Sequence, residues 1–303
     1  MNWMRKGGKG GEENMDVNKK LNIIITSSVQ NDFIEPLDIH PIPEDGLKIG
    51  YDQVSNKWME YFLNQNRDTS EANINQFILW LKQNATNETI SGSISYHHIL
   101  EHFRHRVHID DDETRRLWEG DKLSQFIRDL MNKASESNSI EASGVEYQCI
   151  HLRDWHDQTD ETQKGEMDLF GPHCIKGTYG AKFISPLNEL IQKHHDFNVI
   201  INSNSLSSFD ETDLKSVLET VIKNAGSSYK EVKIGVFGVV TNVKVFLLTF
   251  ELMVIHKFKN VYVCGDFCAG FDKQGHETGI SSMANILAAN IVDQNKFREI
   301  FNI

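Results

Sequence analysis

Cysteine and proline are scarce in this sequence of 303 residues, which has four cysteines and five prolines. The cysteines, Cys149, Cys174, Cys264 and Cys268, lie far apart or in apolar contexts, and the last two have no second pair that would complete a zinc site. They are therefore expected to be buried, reduced thiols. This usage favours a reducing compartment and excludes a disulfide-stabilised secreted domain.

Long hydrophobic runs and an excess of basic charge are also missing. No apolar run reaches the roughly 20 residues of a membrane span, and residues 1–19 lack the apolar core of a signal peptide. The sequence thus predicts a cytoplasmic protein with no membrane contact and a disordered leader over residues 1–19. Because the formal net charge is −12 and no basic stripe is present, nucleic acid is not expected as a partner.

Five short runs rich in β-branched residues predict the strands of a sheet. After the second run they alternate with helical patterns, and they are apolar on nearly both faces, which is typical of parallel strands buried between helices. The predicted fold class is α/β, with a three-layer, doubly wound, mainly parallel sheet that binds ligands at the carboxyl ends of its strands. The runs cover residues 21–27, 145–151, 197–202, 232–238 and 260–265.

A long segment, residues 34–144, separates the first two predicted strands, although a simple crossover needs far fewer residues. The sequence therefore predicts an α/β domain over 20–303 that is interrupted by a helical insertion over 34–144. The helical patterns of the insertion lie near 53–64, 71–84, 95–107 and 113–134.

The insertion carries apolar stripes and tryptophans that must be buried somewhere. They can pack on the helices of the sheet, on a second copy of the chain or on another protein, and large aromatic residues tend to anchor interfaces. We predict a homo-oligomer or a protein partner docked through the insertion; the alternative is that these helices thicken the core of a monomer. The residues are Ile74, Phe77, Ile78, Leu81, Leu117, Leu123, Phe126, Ile127, Leu130, Trp58, Trp80 and Trp118.

Polar motifs follow the predicted strands, at the edge where a doubly wound sheet builds its site. They are "SSVQNDF" (27–33), "RDWHD" (153–157) with "GPHCIKGTYGAKF" (171–183), "NSNSLSSF" (202–209), "GVVTNVKV" (238–245) and "CGDFCAGFDKQGHETGISSMANI" (264–286). In this order and spacing the motifs resemble the isochorismatase-like cysteine hydrolases, the superfamily that includes nicotinamidase. The resemblance covers about 20–33 and 145–300, leaves the insertion unmatched, and implies the isochorismatase-like hydrolase fold.

The resemblance also implies that all three catalytic positions are substituted. Members of the superfamily use an Asp, a Lys and a Cys nucleophile, and the matching positions here are Ser28, Ser203 and Lys244. Because thiol-dependent hydrolysis needs a thiolate and a neighbouring base, it is not expected. The implied pocket residues, with a cis peptide between the two valines, are Asp32, Phe33, Trp155, Val239, Val240 and Thr241.

Lys244 stands in the nucleophile position, at the amino end of a predicted helix. The helix dipole and burial both disfavour a cation there, so we expect the pKa of Lys244 to be lowered. Two interpretations stay open. Lys244 is either a nucleophile or an anion anchor, or it fills a retired pocket and forms hydrogen bonds with Ser28, Ser203 or Asp32.

A metal site is a further implication of the resemblance. In nicotinamidase-like members an Asp-x-His after the second strand and a later His bind a divalent metal, and the matching residues here are Asp154, His156 and His173. One carboxylate and two imidazoles suit zinc, iron or manganese. A further family histidine has no clear match, although Asp157 or Asp160 could replace it. The alternative is that this motif only caps the strand end.

Two functions compete at this point. The first is a catalytically altered family member, a pseudoenzyme that acts as a binding or scaffold subunit and takes a small-molecule ligand. The second is a metal-dependent hydrolase of a small amide or related metabolite, which uses Asp154, His156 and His173 with Lys244 in the nucleophile position.

Overall fold

The computed structural model of this protein describes residues 20–34, 109–140, 144–157, 159–170, 173–177 and 180–303. Among them, six parallel strands form one sheet in the order β3-β2-β1-β4-β5-β6. The strands are β1 (Lys20–Ser27), β2 (Val145–Asp154), β3 (Asn198–Ser203), β4 (Lys233–Val239), β5 (Asn260–Ala269) and β6 (Asn290–Val292). The predicted α/β class with a mainly parallel sheet is confirmed.

All five predicted strands are present, and β6 is the one that the sequence analysis missed. Its three residues are exposed or half-buried and pair only with Tyr262, Val263 and Cys264 of β5. So short a run produces no periodic pattern that could distinguish it from a loop.

The central strand β1 shows why these runs become strands. Every residue from Leu21 to Ser27 is buried, because helices cover both faces of the sheet. Ser27 pairs with Leu152 of β2 and with Gly238 of β4, so the carboxyl ends of the three strands lie side by side. This register brings together the segments that follow β1, β2 and β4.

The helices begin and end at identifiable signals. Asp110, Asp272 and Asp293 each accept a hydrogen bond from a backbone N–H in the first turn of the following helix. The helices are α1 (Asn31–Ile34), α2 (Asp111–Trp118), α3 (Lys122–Ser139), α4 (Lys164–Phe170), α5 (Leu187–Lys193), α6 (Leu214–Asn224), α7 (Phe246–Phe250), α8 (Lys273–Ile286) and α9 (Gln294–Phe301). Short 3₁₀ turns occupy Glu119–Asp121 and Glu161–Gln163, and π-helical turns at Thr241–Val245 and Glu251–Ile255 flank α7.

Where one helix was predicted near 113–134, the structure has two. Gly120 adopts a left-handed conformation with φ of 64° and separates α2 from α3. The prediction of a single helix was wrong because the hydrophobic pattern continues through this turn.

Residues 109–139, which the sequence analysis assigns to the insertion, pack on the sheet. The apolar stripe of α2 and α3 is buried in the same core as the strands, and Phe126 stacks on Phe267 of β5 with ring centroids 4.4 Å apart. Trp118 donates a hydrogen bond from Nε1 to the carbonyl of Ile34 at 2.7 Å. This part of the apolar stripe is therefore buried in the protein's own core.

The rest of the predicted insertion lies outside the described residues. This holds for the helices predicted near 53–64, 71–84 and 95–107 and for Trp58, Trp80 and the stripe of Ile74, Phe77, Ile78 and Leu81. A homo-oligomer or protein partner at that segment therefore stays a prediction. Within the described part of the chain, no helix has the length and apolar character needed to cross a membrane.

Candidate metal and ligand site

The candidate site lies where the direction of chain progression through the sheet reverses. From β1 the chain proceeds through β2 to β3 on one side, and β4, β5 and β6 lie on the other side. Ligands in open α/β sheets bind outside the carboxyl ends of the strands at such a switch point. Asp154, the last residue of β2, meets Ser28, Ser205 and Lys244 at this position. The last three residues follow β1, β3 and β4.

Four potential metal ligands converge here. One ligand atom from each of Asp154, His156, Glu166 and His173 lies within 4.8 Å of the others. The Nε2 atom of His173 is 3.8 Å from Asp154 Oδ2 and 3.9 Å from Glu166 Oε1, and His156 Nε2 is 3.9 Å from the same Glu166 oxygen. The four side chains therefore face a common centre.

Local backbone contacts explain how residues from three segments meet. Asp154 is the last residue of β2, and two residues later His156 forms a parallel bridge with Ile175. In this bridge His156 N donates to Cys174 O at 3.1 Å, which places His173 beside His156, with ring centroids 4.6 Å apart. Glu166 comes from α4, the short helix between these two segments.

The donor set fits a divalent metal. Asp154 Oδ2 and His156 Nε2 are buried and have no hydrogen-bond partner among the described residues, which is costly for polar atoms unless another group binds them. Burial, together with the nearby His173, lowers the pKa of His156 to about 4. The imidazole is therefore neutral at pH 7, the form that ligates metal, and two imidazoles with two carboxylates suit zinc, iron or manganese.

Lys244 lies directly beside this cluster. It is 5% exposed, and its Nζ atom donates to Asp154 Oδ1 at 2.7 Å and to the carbonyl of Ser205 at 3.1 Å. The same atom lies 3.4 Å from Glu166 Oε1. Lys244 thus forms a buried ion pair with two of the four candidate metal ligands.

The expected lowering of the Lys244 pKa was wrong. Burial does disfavour the ammonium, but the carboxylates of Asp154 and Glu166 outweigh burial and raise the pKa of Lys244 above its ordinary value. Burial likewise opposes ionisation of Asp154, yet Lys244 and His173 hold the pKa of that carboxyl below its usual range. Lys244 is therefore a cation at neutral pH and not a neutral amine nucleophile.

Two of the three positions equated with the family's catalytic residues meet at one carboxylate. Ser28 Oγ donates to Asp154 Oδ1 at 2.9 Å, the same oxygen that Lys244 contacts. Ser203 does not reach this oxygen; its hydroxyl contacts the carbonyls of Ser205 and Ser207 at 3.0 and 3.2 Å. Ser203 thereby shapes the loop whose Ser205 carbonyl accepts a hydrogen bond from Lys244. The partners that the sequence analysis suggested for Lys244 are thus replaced by Asp154, Glu166 and Ser205.

A small pocket opens on one side of the cluster. Three candidate metal ligands and Lys244 form its polar wall, and three phenylalanines and three aliphatic residues form the rest. Of the pocket residues that the resemblance implied, Phe33 and Val240 line it. The full lining is Phe33, Asp154, Glu166, Phe170, His173, Leu206, Val240, Val243, Lys244 and Phe271.

The other implied pocket residues have different surroundings. Asp32 is buried and accepts a hydrogen bond from Cys174 N at 2.6 Å, and burial raises its pKa to about 6. The guanidinium of Arg153 stacks over the Trp155 ring at 3.9 Å. Val239 is fully buried in the core, and its peptide bond to Val240 is cis. Thr241 is buried and pairs with His276 Nδ1 at 3.0 Å.

Sequence reasoning missed Glu166. Asp157 and Asp160, the suggested substitutes for a fourth ligand, accept hydrogen bonds from Thr159 and Thr162 in exposed turns. Glu166 supplies the fourth candidate ligand atom instead. The sequence does not single it out, because Glu166 is one of five acidic residues between His156 and His173.

No cysteine is poised to act as a thiolate. All four cysteines are buried, and burial raises the pKa of Cys149 and Cys268 to about 12. Burial also raises the pKa of Cys264 and, with help from Asp32, that of Cys174, the cysteine next to His173. The thiols are therefore protonated at neutral pH and lack the character of nucleophiles.

The chain belongs to the isochorismatase family, whose isochorismatase domain model matches residues 109–294. This match includes α2 and α3, which the resemblance in the sequence had left out. A relative from Bacillus subtilis (strain 168), described as an uncharacterized isochorismatase family protein PncA, is 31% identical over 145 residues, which are 46% of this chain and 72% of the relative.

Two solved structures are similar in fold. The nicotinamidase/pyrazinamidase PncA from Bacillus subtilis is 17% identical, with 90% of this chain and 100% of that chain covered and a TM-score of 0.48. The pyrazinamidase of Pyrococcus horikoshii in complex with zinc is 17% identical, with 90% and 99% covered and a TM-score of 0.45. Because both scores lie below 0.5, the family assignment rests on the sequence matches.

Proposed function

We propose that this protein is a metal-holding member of the isochorismatase family that binds a small molecule and does not hydrolyse amides through a thiolate. The convergence of Asp154, His156, Glu166 and His173 carries this proposal. Each group offers an atom that divalent metals prefer in proteins, and two of these atoms are buried without a hydrogen-bond partner among the described residues. A bound ion would satisfy them.

The small-molecule part of the proposal rests on the pocket. Its apolar wall includes Phe33, Phe170 and Phe271, and its polar wall consists of charged and ligating groups. Pockets that bind small molecules typically combine a largely apolar lining with a few placed polar groups.

The absence of thiol chemistry follows from the residues at the centre of the site. Lys244 stands where the resemblance expects the nucleophilic cysteine, and its ammonium is neutralised by Asp154 and Glu166. Among the described residues, every cysteine is buried with a raised thiol pKa. Neither an attacking thiolate nor a neutral amine is available at pH 7.

Elemental analysis of the purified full chain tests the metal. We expect about one divalent ion per chain after incubation with zinc, iron or manganese, and we expect His156→Ala to lose it. His195→Ala is the matched control, because the His195 side chain is 81% exposed and pairs only with the neighbouring Asp196 among described residues. A wild-type protein that retains no ion after gel filtration would refute the proposal.

Metal-dependent hydrolysis is the second candidate function, and one observation favours it. Asp154, Glu166 and His173 all line the pocket, so an ion held by them would adjoin a bound molecule. A divalent ion in such a site supplies Lewis-acid activation of water or of a carbonyl group. Turnover of a small amide that needs added metal and disappears in His156→Ala, but survives thiol alkylation, would establish this function over simple binding.

A further inference from the structure

The helix that follows β4 has its polar side chains turned toward the protein. Residues 241–255 (helix 241–255) consist of α7 and the π-helical turns that flank it. Lys244 is buried in its ion pair, and the buried hydroxyl of Thr249 donates to the carbonyl four residues earlier at 2.7 Å. Glu251 accepts a hydrogen bond from the Ser207 hydroxyl. Beyond position 242, the polar side chains of this helix therefore all have partners within the protein.

The outward face of helix 241–255 is apolar instead. Leu247 and Phe250 are half-buried, and Val254 and Ile255 are 36% and 56% exposed. Within the described part of the chain, these four side chains (the outer stripe) lie outside the apolar cluster that forms the core. Because a helix that is apolar on all sides is normally buried on all sides, the outer stripe needs a covering partner.

Residues 35–108 leave and rejoin the described structure at one place. The backbone N–H of Ile109 donates to the Phe33 carbonyl at 3.1 Å, so the residues that flank this stretch are held together. A long segment of chain thus begins and ends at a single point of the fold.

That point adjoins helix 241–255. The backbone N–H of Asp110 donates to the Phe271 carbonyl at 2.8 Å. Phe33 and Phe271 line the same pocket as Val243, which belongs to the first turn of the helix. Residues 35–108 are therefore tethered at both ends beside the helix whose outer stripe needs cover.

We propose that the outer stripe is the docking site of the helix predicted near 71–84 in the same chain. This segment lies outside the described residues, and its sequence carries the apolar stripe of Ile74, Phe77, Ile78 and Leu81. Docking removes two apolar helix faces from water at once. The inference does not rest on the metal site of the proposed function, and it leaves other parts of the insertion for the predicted homo-oligomer or protein partner.

The covalent connection favours this occupant over a second copy of the chain. Helix 241–255 is about 20 Å long, at roughly 1.5 Å per residue. About 40 residues join Ile34 to Ile74 and about 28 join Leu81 to Ile109, and such lengths reach every part of the helix. A tethered partner has an effective concentration that approaches the millimolar range, whereas a second copy is present only at the concentration of the protein itself.

Photo-crosslinking of the full chain tests the occupant. The photoreactive residue p-benzoylphenylalanine, placed at Phe250, should form crosslinks to a peptide within 71–84 that mass spectrometry identifies. An equal mixture of isotope-labelled and unlabelled protein distinguishes links within one chain from links between two chains. The same residue placed at Ile140 is the control, because Ile140 is 54% exposed and caps α3, a helix that packs on β2 and not on helix 241–255.

Links from position 250 to 71–84 within one chain, without such links from position 140, would support the proposal. Links between two chains would mean that a second copy covers the outer stripe. The absence of links to 71–84 would mean that this segment does not lie on the stripe. Either of the last two results would overturn the proposal.

Limited proteolysis of Leu247→Asp provides a second test. A charge in the outer stripe should release the docked segment, so trypsin should cleave after Lys82 faster by roughly tenfold or more, while cleavage after Lys233 in β4 stays slow. Ile286→Asp is the matched control, because Ile286 is 73% exposed and a charge there faces water. Equal cleavage rates after Lys82 in the wild type and in folded Leu247→Asp would overturn the proposal.

A substitution on the docked segment completes the test. Phe77→Asp should accelerate cleavage as Leu247→Asp does, and the double variant should be cleaved no faster than either single variant, since both substitutions remove the same contact. Multiplied effects in the double variant would show that positions 77 and 247 do not share a contact and would contradict the proposal. If neither variant folds, the photo-crosslinks decide it.

Discussion

Lys244 Nζ and Asp154 Oδ1 lie 2.7 Å apart in the buried centre of the site, and the two residues are 90 positions apart in the chain. The side chains are 7% and 2% exposed. Taking two charges out of water is costly, and the pair is tolerated because Ser28, Ser205 and Glu166 provide further polar contacts. The contact joins the end of β2 to the π-helical turn after β4.

Removal of one partner of this pair should destabilise the metal-free protein. Lys244→Met leaves Asp154 as a buried, unpaired carboxylate, so we expect the free energy of unfolding to fall by about 3 kcal/mol. Asp154→Asn combined with Lys244→Met should cost less than the sum of the single substitutions, because neither charge is then left alone. Urea unfolding at pH 7.5 with a chelator present measures each value.

A surface pair provides the control for this cycle. Lys296 and Glu299 also lie 2.7 Å apart, but their side chains are 52% and 69% exposed, and exposed pairs contribute little to stability. Lys296→Met should therefore leave the unfolding midpoint nearly unchanged. If the losses in free energy of unfolding caused by Lys244→Met and Asp154→Asn simply added in the double variant, the two buried side chains would not be energetically coupled.

Gly238 is expected to be essential for the close approach of β4 to β1. Its φ is 131°, and a Cβ atom at this position would lie 2.1 Å from the carbonyl oxygen of Ser27. Gly238→Ala should therefore lower the free energy of unfolding by on the order of 3 kcal/mol, since the strained backbone and the clash act together. Thermal unfolding of the purified variant measures the loss.

Gly265 in β5 is the matched glycine for this experiment. A Cβ atom there would lie 3.6 Å from its nearest neighbours, Ile280 and Ile291, which is ordinary van der Waals contact. Gly265→Ala should unfold near the wild-type temperature. If Gly238→Ala and Gly265→Ala unfolded at the same temperature, the closeness of Ser27 would not explain why position 238 needs a glycine.

The strands β1 to β5 could be predicted because each of them shows its own hydrophobic pattern in a short stretch of sequence. β1 and β4 consist largely of apolar residues and are buried on both faces, and such runs indicate buried parallel strands. Asp154, His156 and His173 could be named as candidate ligands because their motifs resemble the metal-binding motifs of nicotinamidase-like proteins. Their convergence needed the backbone bridge between His156 and Ile175, which brings the two motifs together.

The remaining features of the site depend on contacts that no local pattern encodes. Glu166 belongs to the seven-residue helix α4, which is too short for a periodic signal, and its place beside Asp154, His156 and His173 appears only in the folded structure. The pKa of Lys244 was expected to fall because sequence indicates burial and a helix terminus. It rises because Asp154 and Glu166, from two other segments, reach the same ammonium.

His151 should make the stability of the protein depend on pH. It is fully buried between Thr26 and Asn198, whose side-chain oxygens lie 2.9 and 2.7 Å from its ring nitrogens, and burial lowers its pKa from 6.5 to about 4. As the pH falls below 6.5, the unfolded chain takes up a proton that the folded protein resists. The free energy of unfolding should therefore fall progressively between pH 6.5 and pH 4, and at pH 5 it should be about 2 kcal/mol below its value at neutral pH.

Comparison with His151→Gln isolates this contribution. The substitution removes the titrating group, so the variant should lose less stability than the wild type between pH 7.5 and pH 5 in urea unfolding experiments. His195→Gln changes an exposed histidine and should retain the wild-type dependence. Identical pH profiles for wild type and His151→Gln would mean that the folded protein protonates His151 without cost.

Hydrolysis through a thiolate should be absent. Ser28, Ser203 and Lys244 occupy the positions that the family resemblance assigns to the catalytic Asp, Lys and Cys, and loss of a nucleophile alone commonly costs several orders of magnitude in rate. If the protein only binds its ligand, purified protein should therefore show no turnover of nicotinamide, isochorismate or simple amides, with or without excess zinc, iron or manganese.

Turnover that thiol alkylation abolished would contradict the proposed function, because the described cysteines are all buried with raised pKa values. A different result would make Lys244 the nucleophile: turnover that needs no metal, is lost in Lys244→Ala and is retained in Lys233→Ala. That result would require the ion pair with Asp154 to open and release a neutral amine, since the charged group cannot attack a carbonyl.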